Sequence, residues 1–499
     1  MLQDLVDGKS IWNLQLRIPA DDQPKSKRNI QIKASSNLKG TEVKLPPPFT
    51  KSQSDVRQFR FLMNIKNADK ALIKADYGGS FEGIFECDFD RPYWVTRGDM
   101  RFGGGPVVLP RSGGLLIVVH MKELSVDIWR NLFEQMSAQL SLNQVAVDTK
   151  PKESDLLPMH LVIVNSVELL VDRFVYLGQP ATNLKLSVNK KEDWLNINLD
   201  SKEMLGVITV PKDLEQERLI IDMKHLHLKT PETSGGEIDP RDLPAINFNS
   251  RFVAYDNKKL GSVAIETSKT EKGMLLQQLI MNPRETTVKG HGHWLIENGE
   301  HQSLLDFELE SKDLGKTMKD LGYVETIEEG EGKITAKLRW PSTIFDPDFS
   351  HLSGEVALDF KNGRILDIEP GRAARLFGLF SIQTLPRRLT LDFSDMFAKG
   401  LSFDFVTGNF QLENGDAYTN NFKLLGTNAD IALKGRIGLA AQDYDQKVRV
   451  TPHITDAAVL LSILTAQPLI ILFQQILKAD IEGAASIEYA LTGPWNNST

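Results

Sequence analysis

The sequence predicts a mainly β protein: a long, twisted antiparallel sheet curled into an apolar groove, with a few short capping helices and a C-terminal amphipathic helix. Three observations lead there. Apolar residues recur at every second position through most of the chain, as in Trp12, Leu14, Leu16 and Ile18, which is the period of a strand with one apolar face. Asn298-Gly299, Asn362-Gly363 and Asn414-Gly415 each lie between alternating runs. Both positions of such a turn take positive φ, so the three pairs predict hairpins between sequence neighbours and a meander in the second half. Stretches of helical period are scarce, too few to cover the apolar face of some three dozen strands.

Length and charge narrow the classes. A chain of 499 residues buries a large core, and length alone suggests two to four domains. The 58 basic and 66 acidic residues are interspersed and sum to −8, so the concentrated basic face that nucleic acid demands is missing. Cys87 is the one cysteine, which excludes an intramolecular disulfide framework and a cysteine-based zinc site. The first residues have neither the basic nor the apolar region of a signal peptide.

In order, Trp12 to Ile18 and then Ile30 and Ile32 alternate as strands, and Pro46, Pro47 and Pro48 end the pairing because they cannot donate to a ladder. Phe59, Phe61, Met63 and Ile65 repeat the pattern, followed by Phe81, Ile84, Phe85 and Phe89. Gly103 to Gly105 read as a turn, since the spacing of a phosphate loop and its helix are absent. Trp129 to Leu140 has the first helical period and is expected to cover a sheet end. Leu184, Leu186 and Val188 face Leu195, Ile197 and Leu199 across a charged turn, and Lys229 to Pro244 is the strongest loop. A short helix is expected near Asp313 to Leu321. Leu389, Leu391 and Phe393, then Leu401, Phe403 and Phe405, form a half-buried antiparallel pair, preceded by a helical or irregular stretch from Gly371 that Pro386 closes. The expected segments are 1–150 (ending in a helix), 151–244, 245–455, and 456–499 with an apolar helix and last strand.

That helix, Asp456 to Lys478, is the most apolar stretch, divided by Pro468. Gln474, Gln475 and Lys478 share one side while Leu469, Ile470, Leu472, Phe473, Ile476 and Leu477 take the other. This suits contact with a membrane interface or a plug at the groove end. Packing on the last hairpins is the plainer reading. The proline, the glutamines and the following strand argue against a spanning helix.

Candidate chemistry is thin. His291/His293 and His225/His227 each pair two imidazoles on one strand face, but no cysteine or carboxylate follows at ligand spacing, so solvated strand histidines are the ordinary explanation. Asp88/Asp90 and Asp392/Asp395 resemble glycosidase carboxylates, although acidic residues on the wet side of strands are far commoner. No GxSxG, HExxH or P-loop is present, and neither cofactor nor metal is expected. The chain reads as a non-enzyme.

An apolar face that its own helices cannot cover must curl on itself, pack on a second sheet, or stay open to something apolar that is not protein. A sheet of that many strands at about 4.8 Å each would extend roughly 150 to 200 Å before twist. In such a trough a lipid chain of about sixteen carbons would recover on the order of 10 kcal/mol, with its headgroup left in water. The groove candidates are Leu389, Leu391, Phe393, Leu401, Phe403, Phe405, Leu184, Leu186, Leu195 and Ile197.

The order WPSTIF, EVALDFKNGRILDIEPG, RLFGLFSIQTLPRRLTLDF, GLSFDFVTGNFQLENG and GRIGLAAQDYDQKVRVTP, with the terminal YALTGPW, closely resembles the C-terminal region of the AsmA-like YhdP family of bacterial envelope proteins. The likeness covers most of the chain and is tightest from Gly322 to Pro494. GRAAR at Gly371 to Arg375 departs from it, since small residues are usual there. The resemblance implies repeated β-groove modules that carry phospholipid between inner and outer membranes of a Gram-negative envelope and support the outer-membrane permeability barrier. It implies a periplasmic location in an inner-membrane-anchored protein, with this chain the C-terminal portion reaching the outer membrane and envelope proteins as further partners. The alternative, from the related TamB-type branch, is a scaffold or assembly factor for outer-membrane proteins whose strand edges template a client strand.

Overall fold

Strands of seven to fourteen residues dominate because the alternating runs give each one apolar face, and the turns between them return the chain to its neighbour. In the computed structural model, residues 5–19, 29–67, 69–91, 94–132, 164–191, 194–230, 238–323, 325–366, 400–427, 429–453 and 486–495 are described. The chain forms two units, Met1–Ile238 and Asp239–Thr499. The protein is mainly β and its sheet is not closed, as a groove requires. The described residues hold 26 strands, and many strands of the second half run to 12 or 13 residues.

The first unit contains β1 (Val6–Gly8), β2 (Trp12–Arg17), β3 (Ile30–Ser36), β4 (Thr41–Val43), β5 (Phe59–Asn67), β6 (Lys70–Tyr77), β7 (Phe81–Asp88), β8 (Val95–Phe102), β9 (Gly114–Ser125), β10 (Val164–Tyr176), β11 (Gln179–Lys190), β12 (Trp194–Asp200), β13 (Met204–Pro211) and β14 (Leu219–Leu228). β1 and β4 pair apart, while β2, β3 and β5 to β14 form one sheet with sequence neighbours adjacent. Lys51, 1% exposed, ties down the loop beyond β4 by donating to the Thr41 carbonyl at 2.6 Å and the Ser52 carbonyl at 2.9 Å. Burial lowers its pKa.

The sheet is not antiparallel throughout: β9 runs parallel to both β8 and β10. Between β8 and β9 the chain crosses back without a helix. Gly103 turns with φ +87, and a Cβ there would stand 1.7 Å from the His120 carbonyl oxygen, so only glycine lets the loop close on β9. Asp99, fully buried, holds the returning loop by accepting from the Val108 N–H at 2.8 Å and from the Arg101 guanidinium at 3.1 Å. After β9 comes helix α1, described over residues 126–132, so the helix expected at Trp129 to Leu140 begins three residues early. Its Asp127 carboxylate accepts from the Leu177 and Gly178 N–H groups at the β10–β11 turn, and Trp129 meets Phe49 edge-on at 5.9 Å.

The second unit contains β15 (Ile246–Tyr255), β16 (Lys258–Thr270), β17 (Gly273–Asn282), β18 (Thr286–Glu297), β19 (Glu300–Ser311), helix α2 (Leu314–Asp320), β20 (Ile327–Trp340), β21 (Ser353–Ile365), β22 (Leu401–Glu413), β23 (Asp416–Gly426), β24 (Ala429–Gly438), β25 (Asp443–Pro452) and β26 (Ile487–Pro494). Every pairing is antiparallel between sequence neighbours, the expected meander. Asn298-Gly299 and Asn414-Gly415 make hairpins, each with both residues at positive φ. Asn362-Gly363 does not. Asn362, φ 52, lies inside β21 and marks an irregularity shared with its neighbours. Inward positions step by three instead of two, from Ile327 to Gly330, Phe360 to Gly363 and Phe403 to Val406, so all three strands carry an extra residue at one level. The short helix forms where expected, its N-terminus capped by the Asp313 carboxylate, which accepts from the Lys316 N–H at 2.9 Å. Leu314 and Met318 of α2 join Ile327, Phe360, Phe403 and Val406 in a buried cluster that continues through β23 to β26.

Candidate functional site

The alternation of the first unit assembles into a row with one residue from each strand. Successive registers place Leu14 beside Ala34, then Phe61, Ala75, Gly83, Met100, Ile117, Val167, Val188, Ile197, Ile208 and Ile221. At about 4.8 Å per strand these positions span roughly 50 Å along the sheet. Gly83 and Val188 are buried, Leu14 is 70% exposed, and the others are half-buried. A packed core would bury nearly all of them. The alternate positions carry polar residues such as Lys74, Glu82, Arg101 and Asn198, together with Ile84 and Val118, each 7% exposed.

An equivalent row crosses the second unit from Phe248 through Ile265, Leu279, Gly290, Phe307, Ala336 and Val356 to Phe410. Here more of the face is covered by the protein's own atoms, through α2 and the cluster from Ile327 to Trp495. On the opposite face a cleft of about 740 Å³ crosses β19 to β24, lined by Asp306, Lys337, Glu355, Gln411, Tyr418 and Asn420 among others. On the wet face Arg436 donates to Asp416 and to Asp443 at 2.8 Å each, and these two carboxylates raise its pKa above the ordinary value.

The residues proposed from sequence separate into three groups. Leu186, Leu195 and Ile197 lie half-buried on the apolar face of the first unit, with Leu186 opposite Leu199 and Ile197 opposite Val188. Leu184, Leu401 and Phe403 share the apolar faces but are only 1%, 2% and 2% exposed, packed by protein. Phe405 is corrected: it is 44% exposed and points away from Leu401 and Phe403, because the extra residue in β22 shifts the register against β23 between Phe403 and Phe405 and reverses the alternation. Leu389, Leu391, Phe393, Leu469, Ile470, Leu472, Phe473, Ile476 and Leu477 lie outside the described residues, as do the expected boundaries near 150 and 455. Sequence reasoning missed the longest row, from Leu14 to Ile221, although the alternating apolar residues of each strand signalled its members.

Of the groups weighed for chemistry, His225 and His227 have ring centroids 5.5 Å apart, and His291 lies 3.8 Å from Asp306. Among the described residues the acidic or imidazole group close enough for a metal is Asp69, Asp88 and Asp90, in which Asp88 already pairs with Arg91 at 3.2 Å. No helix of the described residues is long and apolar enough to cross a membrane.

An Escherichia coli (strain K12) protein named intermembrane phospholipid transporter YhdP is 23% identical over 241 residues, which cover 48% of this chain and 19% of that relative. No solved structure matches. The sequence model described as YhdP protein matches residues 1–499. With its whole length matched and its strands arranged as an open apolar-faced sheet, this chain belongs to the YhdP family.

Proposed function

We propose that this chain conducts phospholipid between the inner and outer membranes of a Gram-negative envelope, without catalysis, as a periplasmic part of an inner-membrane-anchored protein. Acyl chains travel on the apolar face while headgroups stay in water, and the delivery supports the outer-membrane permeability barrier. The observation that carries the reading is the half-buried row from Leu14 to Ile221, apolar or glycine at every strand. Hydrocarbon sliding along it would stay out of water at about 0.8 kcal/mol per methylene covered. The transporter name of the E. coli relative supports the same substrate. The C-terminal stretch, through Leu469, Ile470, Leu472, Phe473, Ile476 and Leu477, supplies the membrane contact in this proposal.

The second reading, a scaffold for outer-membrane proteins, draws on β2, which pairs only with β3 among the described residues and presents Leu14 and Leu16 at 70% and 60% exposure. A photo-crosslinker separates the two. Placed at Phe61 or Ile197 in cells, it is expected to capture phospholipid, and at Lys74 or Asn198 on the other face it is not. Polypeptide adducts in place of lipid at Phe61 and Ile197 would overturn transport in favour of the scaffold.

A further inference from the structure

On the apolar face of β23 to β25 two polar side chains each leave a buried atom without a hydrogen-bond partner. Thr419 is 7% exposed and Gln446 4%, and neither the Thr419 Oγ1 nor the Gln446 Nε2 has a hydrogen-bond partner. Native interiors hold few such groups, and each calls for an explanation. The registers put Thr419 opposite Gly435 and Gly435 opposite Gln446, so the two polar groups flank a strand position that carries no side chain.

The neighbours define what fits. Along the same face lie Ala417 and Phe422, Leu433 and Ile437, Tyr444 and Val448. None of these is charged, and Arg436, on the opposite face, is already engaged by two carboxylates. A phosphate would therefore meet no cation here. The threonine hydroxyl and the amide N–H both donate, so the complementary group is an uncharged acceptor attached to hydrocarbon. The ester carbonyl at the head of an acyl chain is such a group.

We propose that Thr419 and Gln446 form a hydrogen-bonding rung in the apolar face that receives the ester carbonyl of an acyl lipid, giving the sliding chain one preferred resting register. This rests on the lipid-conducting reading. The test uses the full chain with a photo-crosslinker at Leu433, two residues from Gly435 on the same face, and vesicles of dialkanoyl phosphatidylethanolamine or of its dialkyl ether counterpart with matched chains. Capture of the ester lipid is expected to exceed that of the ether lipid about fivefold, the worth of one ordinary hydrogen bond. Thr419→Val with Gln446→Met should erase the difference while leaving ether capture unchanged. Thr419→Val alone keeps the side-chain shape and should already reduce the preference. Equal capture of both lipids by the unaltered protein would overturn the rung and leave lipid conduction standing. Capture of neither lipid at Leu433 or at Ile197 would overturn both.

Discussion

The level at which β20 to β22 each take an extra residue can be tested through one contact. A Cβ built on Gly363 would lie 2.5 Å from Cζ and 3.0 Å from Cε1 of the Phe403 ring, with the Gly330 backbone at 3.2 Å on the other side. Carbon atoms settle at about 3.5 to 4.0 Å, so Gly363→Ala asks the ring to retreat by about 1 Å. Phe403 is 2% exposed inside the buried cluster, so no solvent space receives it. Gly363 is not among the positive-φ residues, so alanine fits the backbone and the clash with the ring is the main cost, beside a tight contact with the Gly330 backbone. That cost should be about 1 to 3 kcal/mol, as for other overpacked cores. Phe403→Leu shortens the ring and costs about 1 to 1.5 kcal/mol alone. In its background Gly363→Ala should be nearly free. Equilibrium urea unfolding of the four proteins should give a coupling of about 1 to 2 kcal/mol. Additivity within about 0.5 kcal/mol would refute the assignment of Phe403 over Gly363.

Two further outcomes follow from local geometry. Gly103→Ala combines a φ of +87 with a Cβ 1.7 Å from the His120 carbonyl oxygen, so it should destabilise by more than about 2 kcal/mol, and an unchanged urea midpoint would contradict the crossover that makes β8 and β9 parallel. His453 places Nε2 3.2 Å from the Asp430 carboxylate and Nδ1 3.3 Å from the Thr427 carbonyl, which together raise its pKa above 6.5. A raised folded-state value means this contribution to stability is complete below pH 6.5 and fades as pH climbs through the folded value. Asp430→Asn should move the His453 midpoint downward in an NMR titration of ring-labelled protein, and an unmoved midpoint would contradict the pairing.

Much of this was legible because the signals were local. The pairing of Leu186 with Leu199 and of Val188 with Ile197, and the hairpins at Asn298-Gly299 and Asn414-Gly415, follow from alternation and turn chemistry alone. Asn362-Gly363 shows the limit, because an asparagine at positive φ serves a strand irregularity as readily as a turn. Phe405 was misplaced for the same reason: in Leu401, Phe403 and Phe405 the alternation is perfect in sequence and broken in space by one unpaired residue. Parallel pairing of β9 escaped notice because the usual crossover helix is replaced before it by glycines and prolines. Coverage was not legible at all, since the same half-apolar pattern leaves Ile197 half open and Phe403 sealed.

The shared extra residue in β20, β21 and β22 also constrains how this region can change length. Deleting Asn362 alone would turn Gly363 to Ile365 inside out while the flanking strands kept their orientation, exchanging Ile365, 6% exposed, with Arg364. Shortening is harmless only when all three strands lose a residue together. Single-codon insertions and deletions at this level are therefore tolerated as matched sets across three distant stretches of the gene, or not at all.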